Sequence, residues 1–141
     1  GRINKAEADL LLSELKIYIN RIGGNRILEE KIDFGIISPY KAQVQYLRNK
    51  IKADASLKPY RSLFTVNTVD GFQGQERDVI FISLVRANEE GQIGFLNDLR
   101  RMNVAITRAR MKLVIMGEAD TLKHHGFYRK LLEFIQNIGN Q

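Results

Sequence analysis

Apolar residues recur along the chain with two periods, one typical of helices and one typical of buried strands. From about Lys5 to Ile22 they fall every three or four residues, which predicts an amphipathic helix that ends at Gly23-Gly24. A second helical period starts at Tyr40, and a third predicts a helix from about Gly126 to Ile138. Short apolar runs predict buried strands at residues 34–37, 63–66, 79–85 and 113–116.

The stretch from Arg100 to Arg110 combines four arginines with an apolar stripe of helical period. It predicts a helix whose N terminus is capped by Asn97 or Asp98. A guanidinium beside a buried face is costly to desolvate unless an anion pairs with it, and phosphate oxygens match its geometry. Two interpretations stay open from this helix alone. The arginines bind a nucleotide or nucleic-acid backbone, or their long side chains simply extend into water.

The predicted elements alternate between helix and strand, which favours an open α/β sheet, mostly parallel, with helices on both faces. Residues 1–141 are expected to form a single domain. Ligands of such sheets gather where the strands end. Three polar segments each follow a predicted strand, so we expect them to meet at one edge of the sheet. These segments are residues 38–41, residues 68–78 and the loop before Arg101.

The composition narrows the class of protein and of partner. With 44% hydrophobic and 27% charged residues the chain is an ordinary globular protein, and no apolar run is long enough to cross a membrane. The absence of cysteine excludes disulfides and is compatible with a cytoplasmic location. His124 and His125 are adjacent, which is poor spacing for one metal ion, so no metal site is expected. The net charge of +6 favours a polyanionic partner such as nucleic acid.

The glycine pattern excludes a complete nucleotide site. A phosphate-binding P-loop needs Gly-x-x-x-x-Gly-Lys-Ser/Thr, and no such string occurs in the sequence. The pairs Gly71/Gly74 and Gly91/Gly94 are too closely spaced and lack the lysine that follows. We therefore expect the chain to complete a nucleotide site from one side of a cleft and not to form one alone. Because the chain also begins at Gly1 without a methionine, it is expected to be a fragment of a longer protein.

Two segments resemble motifs V and VI of superfamily 1 helicases: TVDGFQGQE at residues 68–76, followed by Asp78, and RxNVAITRAR at residues 101–110. The segment SPYKAQV at residues 38–44 is similar to the block that precedes them. Residues 85–88 and 94–98 are similar to the subgroup that includes the nonsense-mediated-decay helicases and related helicase-nucleases. The resemblance spans roughly residues 33–118. It implies the second, C-terminal RecA-like motor domain, whose P-loop and Mg²⁺ carboxylate lie on an upstream RecA-like domain.

The resemblance gives several residues a role at the nucleotide. Arg108 would be the catalytic arginine that reaches the γ-phosphate across the cleft, and its alternative role is a structural ion pair. Glu76 would lie near the ribose, or else be an ordinary acid in a turn. Gln73 and Gly74 would form the turn that couples the nucleotide to the nucleic acid, and Arg101 would belong to the nucleotide site.

Other residues are implied to contact a single-stranded backbone, where hydroxyl groups and backbone amides hold phosphates without reading sequence. They are Ser38, Tyr40, Lys41 and Thr68. Tyr40 could equally be a core residue, because it fits the apolar stripe of the helix that follows. Arg110 could pair with a phosphate or with Asp78, and the sequence leaves both open.

The resemblance therefore implies one half of an ATP-dependent helicase or translocase on single-stranded DNA or RNA, moving from 5′ to 3′. ATP with Mg²⁺ would be bound mainly by the upstream RecA-like domain, so the isolated chain is expected to be inactive. The alternative is a non-catalytic nucleic-acid-binding or regulatory module that has kept the fold. Glu76 and Arg108 disfavour that alternative, since a scaffold needs neither.

Overall fold

The fold is given by a computed structural model that describes residues 3–85 and 108–117. Four strands in these ranges form one sheet in the order β2-β1-β3-β4, and every neighbouring pair is parallel. The strands are β1 (Phe34–Ser38), β2 (Phe64–Thr68), β3 (Arg77–Ser83) and β4 (Ala109–Met116). The predicted α/β class, with a parallel RecA-like sheet, is confirmed.

The helix predicted from the first apolar stripe is present as α1 (Lys5–Ile22). Its first turn is capped by Asn4, whose side chain accepts a hydrogen bond from the Glu7 amide at 2.9 Å. Gly23 ends the helix with a φ of 100°, a conformation that favours glycine. No helix in the described ranges is long and apolar enough to cross a membrane.

Several short elements were not predicted, because each is too brief to show a period. They are α2 (Gly24–Glu30), a 3₁₀ helix (Ala55–Leu63) and α4 (Val69–Phe72).

The helix expected from Tyr40 is α3 (Lys41–Ala53), with Tyr40 as the residue before its first turn. The core lies between one face of the sheet and helices α1 and α3, around Leu11, Leu15, Phe34, Leu47 and Phe81.

Helix α4 lies on the opposite face of the sheet. Its Phe72 is buried against Gly35 of β1, where an added Cβ atom would come within 2.9 Å of the ring. The strand order explains the placement. The connection from β1 to β2 and that from β2 to β3 run in opposite directions along the sheet, so right-handed crossovers put α3 and α4 on opposite faces. The prediction of helices on both faces is thereby confirmed.

The predicted helix through Arg110 is wrong at its C-terminal end. Ala109 and Arg110 belong to β4, and Arg108 lies in the turn just before it. The cause is pairing with β3, since Ala109 is the register partner of Arg77 and the Arg77 amide donates to the Arg108 carbonyl at 3.1 Å. The rest of this predicted helix, including Arg101 and the cap at residues 97–98, lies outside the described residues, as does the predicted helix at 126–138.

The expectation that the polar segments meet at one edge of the sheet is wrong for residues 68–78, which run from one edge to the other, and the loop before Arg101 lies outside the described residues. Ser38 and Thr68 are register partners at the carboxyl edge, where β1 and β2 end. Asp78 lies instead at the amino edge, where β3 and β4 begin, because Phe34 at the start of β1 is paired with Val79. Since β3 is parallel to β2, residues 69–76 must return from the carboxyl edge to the amino edge.

Candidate functional site

Arg108 and Glu76 form an ion pair at the amino edge. Arg108 precedes β4 and Glu76 precedes β3, and Nη1 of the arginine lies 3.3 Å from Oε1 of the glutamate. Their side chains are 40% and 52% exposed, so the pair faces solvent and is not locked inside the fold. Exposed ion pairs contribute about 0–1 kcal/mol, which is little for an incoming anion to overcome.

Arg110 is bound by three carboxylates at the same edge. Its Nε lies 3.0 Å from Asp78 Oδ1, while its two terminal nitrogens lie 3.3 Å from Glu76 Oε2 and from Asp33 Oδ1. Burial raises the pKa of Asp78, but hydrogen bonds from the Asp33 amide and from Arg110 outweigh it, so this pKa lies below its usual range. The hydrogen bond to Asp78 in turn raises the pKa of Arg110. The structure thus pairs Arg110 with acids, including Asp78.

Asp33 and Asp78 also bind one another's backbone. The Asp78 amide donates to Asp33 Oδ1 at 2.7 Å, and the Asp33 amide donates to Asp78 Oδ2 at 3.0 Å. These bonds connect the start of β1 to the start of β3. We call the five charged side chains here the amino-edge network: Asp33, Glu76, Asp78, Arg108 and Arg110. Three negative and two positive charges leave it with a net charge of −1.

The lowered pKa of Asp78 makes part of the stability depend on pH. A carboxyl whose pKa is lower in the folded state stabilises above its unfolded pKa, about 3.9, and that contribution is lost as pH falls through the folded pKa. We expect Asp78→Asn to lower the free energy of unfolding by about 1–2 kcal/mol at pH 7 and by less at pH 3, which lies below the unfolded pKa. Urea unfolding at both pH values measures this, with Asp9→Asn on the exposed face of α1 as control. A loss for Asp78→Asn that is equal at both pH values would contradict the assignment.

The turn that carries Glu76 is held by Arg77, a residue that sequence reasoning missed. The Arg77 guanidinium lies over the Phe72 ring, 5.6 Å from its centroid. It donates to the Glu76 carbonyl at 2.6 Å and to Gln75 Oε1 at 2.8 Å. Gly74 completes the turn with a φ of 79°, which favours glycine. Gln73 and Gly74 are both exposed in this turn, whereas Arg101 lies outside the described residues.

The predicted backbone-binding residues lie at the carboxyl edge and differ in exposure. Lys41 is exposed at the first turn of α3, and Tyr40 before it is half-buried. Tyr40 is only partly buried and does not belong to the hydrophobic core, which disfavours a core role. Thr68 caps α4, since its hydroxyl accepts from the Gly71 amide at 3.2 Å. Ser38 is fully buried and its hydroxyl accepts from the Tyr40 amide at 3.3 Å, so it supports the turn from within.

A buried polar network, also missed from the sequence, lies behind the carboxyl edge. Ser83 at the end of β3 donates its hydroxyl proton to Glu7 Oε1 at 2.6 Å, and the Val85 amide donates to the same oxygen at 3.0 Å. Gln43 donates from Nε2 to the Ser83 hydroxyl at 3.1 Å and to the Asn4 carbonyl at 3.0 Å. Val85 has a φ of 55°, unusual for a β-branched residue. The network thus holds the chain in this conformation just beyond β3.

Comparisons with known proteins agree with the fold and with the motifs. A family model described as an AAA domain matches residues 1–120. The chain is 41% identical over 133 residues to the probable helicase MAGATAMA 3 of Arabidopsis thaliana, covering 94% of the chain and 16% of that protein. It is 41% identical over 113 residues to an uncharacterized ATP-dependent helicase of Methanocaldococcus jannaschii, covering 80% of the chain and 16% of that protein.

A third relative bears on the predicted subgroup. The chain is 45% identical over 102 residues to the regulator of nonsense transcripts 1 homolog of Neurospora crassa, covering 71% of the chain and 9% of that protein. The chain therefore spans only about a sixth or less of the length of these relatives. The predicted kinship with helicases is confirmed, and the chain belongs to the AAA domain family whose relatives include these helicases.

Proposed function

We propose that the chain is the C-terminal motor domain of an ATP-dependent superfamily 1 helicase or translocase that acts on single-stranded DNA or RNA. The observation that carries the proposal is the path of residues 69–76. This eight-residue segment joins Thr68 at the carboxyl edge directly to the start of β3 at the amino edge. The residues predicted to contact nucleic acid lie at the first edge, and Glu76 and Arg108 lie at the second.

The amino edge has the side chains that a nucleotide bound on another domain would need. Arg108 supplies a cation for phosphate oxygens, and the Glu76 carboxylate can accept hydrogen bonds from ribose hydroxyls. Both side chains reach solvent, so both are accessible from across a cleft. ATP with Mg²⁺, held mainly by the upstream RecA-like domain, would supply the phosphoryl group that is transferred. The motif resemblance assigns Arg101 to the nucleotide site as well.

Arg108 would act by leaving Glu76 and neutralising charge on the γ-phosphate. Phosphoryl transfer spreads negative charge over the equatorial oxygens, and an arginine placed there raises the rate by about 10³–10⁵. Its present ion pair is exposed and therefore weak, so the exchange of partner costs little. The guanidinium fork also matches phosphate geometry better than an ammonium group does.

The carboxyl edge would hold the nucleic-acid backbone. Lys41 offers a charge that a phosphate can neutralise, and the first turn of α3, which has no side-chain cap, begins at the same edge. Tyr40 and Thr68 add hydroxyl groups at partly exposed positions. Such contacts hold a strand without reading bases, so the proposal covers both DNA and RNA. Because α4 and its turn connect this edge to Glu76, a change of contacts at one edge would be passed to the other.

The experiment is a reconstitution of ATP hydrolysis. The chain alone should show negligible ATPase activity, and the chain joined to a P-loop-bearing upstream domain should hydrolyse ATP at a rate stimulated by single-stranded nucleic acid. Assays with DNA and with RNA separate the two substrates, and duplexes with 5′ or 3′ overhangs test the predicted polarity. Binding of nucleic acid without hydrolysis in the joined protein would instead support the non-catalytic module.

A further inference from the structure

We propose that Arg110 is a positioning residue for Arg108. By holding one oxygen of Glu76, Arg110 limits that carboxylate to a single contact with Arg108 and leaves the Arg108 guanidinium able to move to the γ-phosphate. The inference rests on the proposed role of Arg108 in phosphoryl transfer. It adds a second arginine, which touches neither substrate nor reacting atoms and acts through Glu76.

The first support is the division of the Glu76 carboxylate between two arginines. Its Oε1 lies 3.3 Å from Arg108 Nη1, and its Oε2 lies 3.3 Å from Arg110 Nη1. A carboxylate and a guanidinium form their strongest pair when two parallel hydrogen bonds join them. Because Arg110 occupies one oxygen, that geometry is not formed with Arg108. Without Arg110, both oxygens of Glu76 could bind Arg108 and hold it at the protein surface.

The second support is the different anchoring of the two arginines. Arg110 is bound to Asp33 and Asp78 as well as to Glu76, and it lies within β4. The register of β3 and β4 shifts here, so that residues 110 and 111 of β4 face Asp78 alone. A bulge of this kind changes the direction in which a side chain points. The Arg110 side chain at this bulge reaches Asp78. Arg108 lies in the turn before the strand; its carbonyl is bonded to the Arg77 amide, but among the described residues its guanidinium contacts Glu76 alone.

The third support is the charge of the amino-edge network. With both arginines it carries a net charge of −1, and loss of Arg110 would change this to −2. The remaining three carboxylates would then all attract Arg108 and repel an anionic nucleotide. Arg110 therefore favours release of Arg108 in two ways, by occupying Glu76 and by reducing the negative charge around it.

A purely structural role for Arg110 would be to join the starts of β1 and β3 through Asp33 and Asp78. The two roles predict different results when Glu76 is also changed. If Arg110 acts mainly through Glu76, its loss should matter much more while Glu76 carries a charge, with a smaller remaining effect from Asp33 and Asp78. If Arg110 only supports the sheet, its loss should cost the same with or without that charge.

The test is a double-mutant cycle on kcat at saturating ATP and nucleic acid, in the protein that contains both RecA-like domains. Arg110→Ala should lower kcat about tenfold or more when Glu76 is present. In a Glu76→Gln background the same change should lower kcat by less than about threefold. Arg110→Lys keeps a charge near Glu76 and should fall between wild type and Arg110→Ala. Arg48→Ala, which removes an exposed arginine bound to the Val66 carbonyl, should leave kcat unchanged.

Two results would overturn the inference: wild-type kcat in Arg110→Ala, or an equal loss with and without the Glu76→Gln change. Thermal unfolding of each variant shows whether it is folded. If Arg110→Ala does not fold, the loss of kcat in Arg110→Lys is compared with and without the Glu76→Gln change instead. Arg108→Ala separates this inference from the proposed function. If Arg108→Ala retains turnover, the catalytic role of Arg108 is wrong. If it abolishes turnover while the cycle shows no coupling, only the role of Arg110 is wrong.

Discussion

Replacing Arg108 with alanine is expected to lower kcat for ATP hydrolysis by about 10³-fold or more, while ATP binds nearly as well as before. In its proposed role the guanidinium would act on charge that develops in the transition state, and such charge is weaker in the bound ground state. The Arg108 side chain is 40% exposed and forms an ion pair with Glu76, so its loss leaves no buried carboxylate without a partner. The fold should therefore remain intact.

The measurement combines steady-state hydrolysis with equilibrium binding of a fluorescent ATP analogue, in protein that contains both RecA-like domains. Arg108→Lys is the matched variant, because it keeps the charge but loses the fork that fits phosphate oxygens. It should retain more activity than alanine but much less than wild type. Turnover at the wild-type rate in Arg108→Ala would show that another group stabilises the transition state.

The largest effect on stability is expected for Glu7→Ala, which should lower the free energy of unfolding by about 3 kcal/mol. Glu7 is 7% exposed, and its Oε1 accepts hydrogen bonds from the Ser83 hydroxyl and the Val85 amide. Leaving a buried donor without a partner costs about 1–3 kcal/mol. Loss of the side chain also removes the hydrogen bond that holds Val85 in its unfavourable backbone conformation.

Urea unfolding of the variants measures this effect. Glu7→Gln keeps an oxygen that can accept from Ser83, so its loss should be smaller, about 1 kcal/mol. Glu14→Ala is the matched control, because Glu14 lies on the exposed face of the same helix. If Glu7→Ala and Glu14→Ala were equally stable, the buried network would contribute nothing to the fold.

The sequence was sufficient to predict elements whose side chains have a regular period. Helix α1 begins and ends where the apolar stripe of Lys5 to Ile22 predicts, because the Asn4 cap and Gly23 agree with that stripe. Strands β1 and β3 were found because a strand buried on both faces is almost entirely apolar, whereas β2 and β4 are only partly buried and were predicted shorter than they are, at residues 63–66 and 113–116. The buried runs in β1 and β3 show this burial directly.

The errors occurred where long-range contacts determine the structure. Ala109 and Arg110 continue a helical period in the sequence, but pairing with β3 places them in a strand. Helix α4 has only four residues and therefore no period, so the return of the chain to the amino edge could not be read. Glu7 would be taken for a solvated acid, since its partner Ser83 is 76 positions away.

The site residues divide in the same manner. Motif resemblance pointed to Glu76 and Arg108, which the structure brings into contact, but Asp33 and Arg77 lie at positions that no motif marked. Asp33 binds the backbone of Asp78, and Arg77 binds the backbone of Glu76, so both residues fix the start of β3. Polar residues at the start of an otherwise apolar strand, such as Arg77 and Asp78, are the signal that could have revealed them.

The contact between Phe72 and Gly35 has a mechanical consequence. An aromatic ring set against bare backbone cannot shift inward, and α4 is too short to flex along its length. A displacement at Thr68 would accordingly be carried sideways by α4 together with Phe72. The Arg77 guanidinium over that ring is bonded to the Glu76 carbonyl, so the movement would reach the residue that contacts Arg108.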